Sequence, residues 1–132
     1  FLCFWPQVVK DVYASICKFP DDHAGEMETS LALAYFPHLV ARHADGSLTA
    51  DLGTTRPFQM QALREGWVSI TRPWHLLTTQ SGAGNPHAAS ASKGEQLMRV
   101  LVERIGDFLV ELAETPLDAD FPFSSAGNSP HP

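Results

Sequence analysis

Residues 91–114 read as one long amphipathic helix, and no other stretch constrains the fold as strongly. Ser90 can cap its start. Leu97, Leu101, Ile105, Phe108 and Leu112 recur along one face, while Glu95, Arg99, Glu103 and Asp107 occupy the other. Glu95–Arg99 and Arg99–Glu103 are favourable four-residue charge pairs, and Pro116 closes the element. An apolar face of this length must be laid on a core, and 132 residues are enough to build one.

The rest of the chain alternates short strand and helix signals. Phe1 to Trp5 reads as a buried strand that Pro6 stops. Val8, Val9, Val12, Tyr13, Ile16 and Cys17 recur at three and four residues, which predicts a helix over 7–18. A second helix runs from Ala24 to Phe36, with Met27, Leu31 and Ala34 as its stripe and Pro37 at its end. Residues 38–56 are loop-like, with a turn at Asp45-Gly46. Pro57 suits a first helical position, so 58–64 reads as a short helix capped by Gly66, followed by a strand at Trp67 to Ile70. Arg72 to His87 is a long irregular stretch, and such loops are more often functional than idle. These signals predict an α/β fold with a mainly parallel sheet between helices, and a disordered tail over 124–132.

Bulk properties exclude several classes. The formal charge is −6 and no basic stripe exists, which argues against nucleic acid as a partner. No apolar run is long enough to span a membrane, and the first residues lack the basic region of a signal peptide. Cys3 and Cys17 sit in apolar surroundings without Cys-x-x-Cys spacing, so they read as unbridged, buried thiols of a cytoplasmic protein. The chain opens on Phe1 rather than Met, which leads us to expect its natural start elsewhere.

One stretch concentrates chemistry. His23-Ala24-Gly25-Glu26-Met27-Glu28-Thr29-Ser30 places an imidazole, two carboxylates and two hydroxyls at a helix start, just after Asp21 and Asp22. Metal-assisted hydrolysis needs such oxygen and nitrogen donors beside a proton carrier. Each residue also has a plainer reading. A single His is more often a solvent-facing loop residue, and Glu28 could simply complement the helix dipole. Glu26 and Glu28 are two apart and cannot share one helix face. Thr29 and Ser30 read as packing and hydrogen-bonding residues, since no Gly-x-Ser-x-Gly elbow surrounds them. Trp74 could line a pocket. His75 is as well explained by the surface as by substrate contact.

The stretch resembles the His-Ala-Gly-Glu-x-Glu-Thr-Ser signature of the creatininase (creatinine amidohydrolase) family. A second block is similar to that family's Gly-Asp-Pro turn and Ala-Thr-Ala-Glu-Lys-Gly helix start: Ser81-Gly82-Ala83-Gly84-Asn85-Pro86, then Ala89-Ser90-Ala91-Ser92-Lys93-Gly94-Glu95. Asn85 stands where Asp is usual and Ser92 where Glu is usual. The Glu-x-His pair of the family's N-terminal half does not occur.

The resemblance implies a three-layer α/β/α fold, of which residues 1–123 form the C-terminal part. It implies metal-dependent hydrolysis of a non-peptide C–N amide bond, cyclic ones included, in a small molecule. Two divalent ions, zinc or manganese, would serve the intact protein. His23 would carry the proton, a task suited to a residue type that titrates near neutrality. Glu28 would hold or adjoin a metal, with Glu26 as a capping or supporting residue and Trp74 as a substrate-facing one. A homo-oligomer, a hexamer in the family, is implied too. The 132-residue chain alone is expected to be inactive and prone to association. The rival reading is a binding or scaffold domain that keeps the fold without a complete site.

Overall fold

The computed structural model describes residues 3–19 and 23–123. In chain order the helices are α1 (Trp5–Val8), α2 (Tyr13–Ile16), α3 (Glu26–Tyr35), α4 (Gln61–Arg64), α5 (Trp74–Leu77) and α6 (Ala91–Glu114), with 3₁₀ turns at Pro37–Leu39 and Pro86–Ala88. The long helix spans the expected residues, and the Ser90 hydroxyl caps it by accepting the Lys93 N–H at 3.3 Å.

The fold is organised by α3 lying on α6. Gly94 is buried at the crossing, and its missing side chain lets the helix backbones meet. Ser30 stitches the same place. Its hydroxyl donates to the Glu26 carbonyl at 2.6 Å and accepts the Ser90 N–H at 3.1 Å. The core then extends along α6 through Leu97 and Leu101, against Val9, Cys17 and Met27. Beyond Leu101 the helix emerges. Phe108, expected on the buried face, is 41% exposed, and Val102, Leu109 and Val110 are more exposed still.

The N-terminal segment differs from its expected form. Cys3 and Phe4 are not in a strand, and Trp5 opens a helix (Phe1 and Leu2 lie outside the described residues). Pro6 stands in the first turn of that helix rather than stopping a strand, because a proline costs no hydrogen bond there. The single helix expected over 7–18 is broken between α1 and α2. The Arg104 guanidinium takes the Val8 carbonyl, which a continuing helix would have offered to the Val12 N–H, and Val12 donates to Val9 instead. Arg104 also grips Asp11 with both nitrogens, at 2.6 and 2.8 Å. Neither cysteine is in a disulfide; Cys17 is buried and Cys3 exposed, so only one of the two expected burials holds.

Among the described residues no strand forms. Sheet-type pairing is limited to isolated antiparallel bridges: His23–Ala83, Arg42–Leu48, Gly53–Gly84, Thr55–Thr78 and Gln80–Gly82. The mainly parallel sheet expected from the sequence is not seen there. Trp67 to Ile70 is exposed coil, because the Trp67 and Val68 amides fold back onto the Ala62 carbonyl and end α4 as a turn, with Gly66 at φ +70°. The helix expected from residue 58 starts only at Gln61, since Arg64 donates to the Phe58 and Gln59 carbonyls and holds them as loop. The expected tail over 124–132 lies outside the described residues. No helix among the described residues is long and apolar enough to cross a membrane.

Candidate active site

The helix expected from Ala24 begins two residues later, and the delay shapes the site. Ala24 takes the left-handed conformation (φ +53°), which turns the chain so that α3 starts at Glu26 after Gly25. Glu28, in the first turn, reaches back and accepts the Ala24 N–H at 2.7 Å. The carboxylate at the third helical position ties down the residue just before the N-cap Gly25, one residue earlier than in a capping box. The same oxygen, Oε2, lies 3.5 Å from Nδ1 of His23. Glu28 thus serves the helix end and the imidazole at once. The plainer reading of it as a helix-start carboxylate is correct as far as it goes.

His23 is held through its main chain. Its N–H donates to the Ala83 carbonyl at 3.1 Å, and the Ala83 N–H returns to the His23 carbonyl at 2.7 Å. This pairing joins the two sequence blocks. The Gly-rich segment can approach so closely because Gly53 backs it: a Cβ on Gly53 would fall 2.2 Å from the Gly82 carbonyl carbon. Trp74 on α5 meets the imidazole edge-on, with ring centroids 5.4 Å apart and planes at 87°. Its indole N–H donates to the Ser81 carbonyl, and Ser81 is itself left-handed at φ +57°. The His23 and Glu28 side chains keep 54% and 39% of their surface open to solvent, so a small molecule could reach both. Glu28 also lines a cavity of about 350 Å³ with Ala24, Thr29, Ala32 and Val40.

Glu26 turns the other way, as two residues on one helix must. Its carboxylate is fully buried. It accepts the Lys18 N–H at 2.8 Å and the Phe19 N–H at 3.0 Å, and it forms an ion pair with Lys93 on α6. Burial pushes its pKa up, but the Lys93 ammonium and the two amides outweigh that and hold it below the ordinary 4.5. Polarity at this helix start is therefore partly a structural demand. Sequence reasoning did not single out Lys93. The available signal was a lone cation three residues past a helix cap, in a chain whose other motif block carries two carboxylates that cannot share a face.

His75 follows Trp74 on α5 and is exposed, as are His38, His43 and His87. Asp21 and Asp22 lie outside the described residues. Among the described residues no group of three or more His, Cys, Asp or Glu side chains converges as a metal site would require. His23 and Glu28 offer two donors side by side. They do not by themselves make up a dinuclear ligand set, which needs several oriented carboxylates and imidazoles.

An imidazole beside a carboxylate, exposed at a helix start and met edge-on by an indole, is an arrangement chemically able to move a proton. The model of the creatininase family, described as creatinine amidohydrolase, matches residues 3–109, and the chain belongs to that family. It is similar to the crystal structure of a protein from Bacteroides fragilis NCTC 9343 assigned as a creatinine amidohydrolase. The TM-score is 0.74 at 34% sequence identity, covering 88% of this chain and 44% of that one. The chain thus spans less than half the length of that protein. No curated protein matches it.

Proposed function

We propose that this chain supplies the proton-transfer half of an amidohydrolase that cleaves a non-peptide C–N amide bond, cyclic amides included, in a small molecule. The observation that carries this reading is the His23–Glu28 pair, 3.5 Å apart and open to solvent in a chain of the creatininase family. Glu28 orients the imidazole through Nδ1, which leaves Nε2 to take a proton from the attacking water and return it to the departing nitrogen. Trp74 limits the ring's freedom and forms an apolar wall for a flat substrate. Divalent metal ions, zinc or manganese, belong to this proposal for the intact protein, with Glu28 as the ligand contributed here. A homo-oligomer is proposed for the intact protein as well.

The test is amide hydrolysis by the intact protein, with creatinine as the first probe, in His23→Ala and Glu28→Gln variants. Loss of a positioned general acid–base should lower kcat on the order of a hundredfold or more. Wild-type rates in both variants would overturn the assignment. An intact protein that binds small amides without hydrolysing them would favour the binding-domain reading.

A further inference from the structure

Glu26 and Lys93 sit where three segments meet, and neither touches the place where a substrate would lie. The Glu26 carboxylate takes the amides of Lys18 and Phe19, on the connection that leads toward His23. Lys93 binds that carboxylate and also donates to the Ala88 carbonyl at 2.7 Å, on the turn that follows the Gly-rich segment. That segment in turn pairs with His23 through Ala83. Glu26 itself begins α3, so its anchoring also sets where Glu28 starts.

We propose that the Glu26–Lys93 pair is a positioning device that holds His23 and Glu28 in register, a role that rests on reading His23 as the proton carrier. Two features separate this from simple stabilisation. A buried ion pair contributes little net stability compared with well-packed apolar residues of similar size. Apolar residues, however, could not accept the Lys18 and Phe19 amides or donate to Ala88. The site also contains two left-handed non-glycine residues, Ala24 and Ser81. Such strain persists only where the surroundings over-determine the conformation. The pair ties down the chain before and after Ala24, and beyond Ser81 at Ala88.

The experiment compares Glu26→Gln with the double variant Glu26→Gln/Lys93→Met in the full chain. The introduced amide still accepts the two backbone N–H groups but opposes Lys93 with a second donor. The double variant carries no unpaired buried charge and still lacks the tie to Ala88. NMR would follow the His23 ring protons, which lie near the Trp74 ring, and amide exchange at Lys18, Phe19, His23 and Ala83. Positioning predicts that both variants move the His23 ring signals and lose protection at His23 and Ala83, while Lys18 and Phe19, whose acceptor is retained, and Leu101 and Ile105 stay protected. It also predicts that thermal stability recovers in the double variant and the His23 signals do not. In the intact protein, kcat should fall on the order of tenfold to a hundredfold in both variants with KM little changed. Unmoved His23 signals in both variants, or signals restored together with stability in the double variant, would overturn the positioning role. Moved signals in a protein whose wild type hydrolyses no amide would uphold the positioning and sink the amidohydrolase reading instead.

Discussion

A Cβ built on Gly94 would stand 2.1 Å from the carbonyl oxygen of Ser30, so α6 and α3 meet backbone against backbone at that point. Glycine is required by the close approach, not by its own conformation. The next glycine along the helix, Gly106, has nothing within 4 Å of the same position.

These two glycines give opposite expectations for one substitution. Gly106→Ala should stabilise the chain by about 0.5–1 kcal/mol, the ordinary helix preference of Ala over Gly. Gly94→Ala gains the same preference but must push two helices apart against backbone that cannot yield. It should be net destabilising by roughly 1–3 kcal/mol or more. Urea denaturation monitored by circular dichroism measures both. Equal effects at the two sites would show that the helix crossing is looser than described.

Stability should depend on pH through Glu26. Its carboxyl is held below the ordinary 4.5, so its ion pair and amide bonds stabilise the fold fully above that value. They are lost as pH falls through the depressed folded-state pKa. Glu26→Gln should therefore be destabilised by roughly 2–4 kcal/mol at pH 7, with the gap to wild type narrowing as pH drops below about 4. Denaturation midpoints of both proteins at about pH 7, 5 and 3 test this. A gap that widens on acidification would contradict the assigned direction.

Zinc or manganese titrated into the 132-residue chain should find no tight two-ion site. His23 and Glu28 offer two donors, whereas structural and catalytic zinc sites use three or four protein ligands. Calorimetry and metal analysis after desalting are the measurements. Two equivalents retained per chain would mean that donors beyond the described residues complete the site.

The isolated chain should self-associate. Trp67 is 70% exposed, Leu109 56% and Val110 58%, and large apolar surfaces of this kind drive association. Light scattering over a concentration series should show oligomers. The double substitution Leu109→Lys/Val102→Glu should reduce them without lowering stability, because both side chains lie on the open face of α6. A monodisperse wild-type monomer would remove the expectation.

Parts of this were legible from residue order because the determining forces are local. A serine cap, a strict apolar period and a closing proline specify α6 without reference to the rest of the chain. The two motif blocks are recognisable by their residues, and Glu28 is legible as a first-turn carboxylate, but the capping expected of Glu26 falls to Glu28, because Glu26 is turned inward onto Lys18, Phe19 and Lys93. The strand expected to run through Cys3 to Trp5 and the helix expected over 7–18 are not found, for a different reason. Proline at a helix start and proline at a strand end look alike in sequence, and the competitor for the Val8 carbonyl is Arg104, far along the chain. The exposed face of α6 beyond Leu101 likewise depends on what packs there, which periodicity cannot report.

Sequence alone determined the long helix, its cap, and the grouping of His23 with two carboxylates at the start of another helix. Tertiary structure decided which carboxylate went where. Residues two apart on a helix point in different directions, and only the packing of α3 on α6 sets which one meets Lys93 inside and which one meets His23 at the surface. The join between the motif blocks, made through the main chains of His23 and Ala83, was equally a tertiary outcome. Backbone groups carry no sequence signature, and their pairing is settled by which segments the core brings within hydrogen-bond reach.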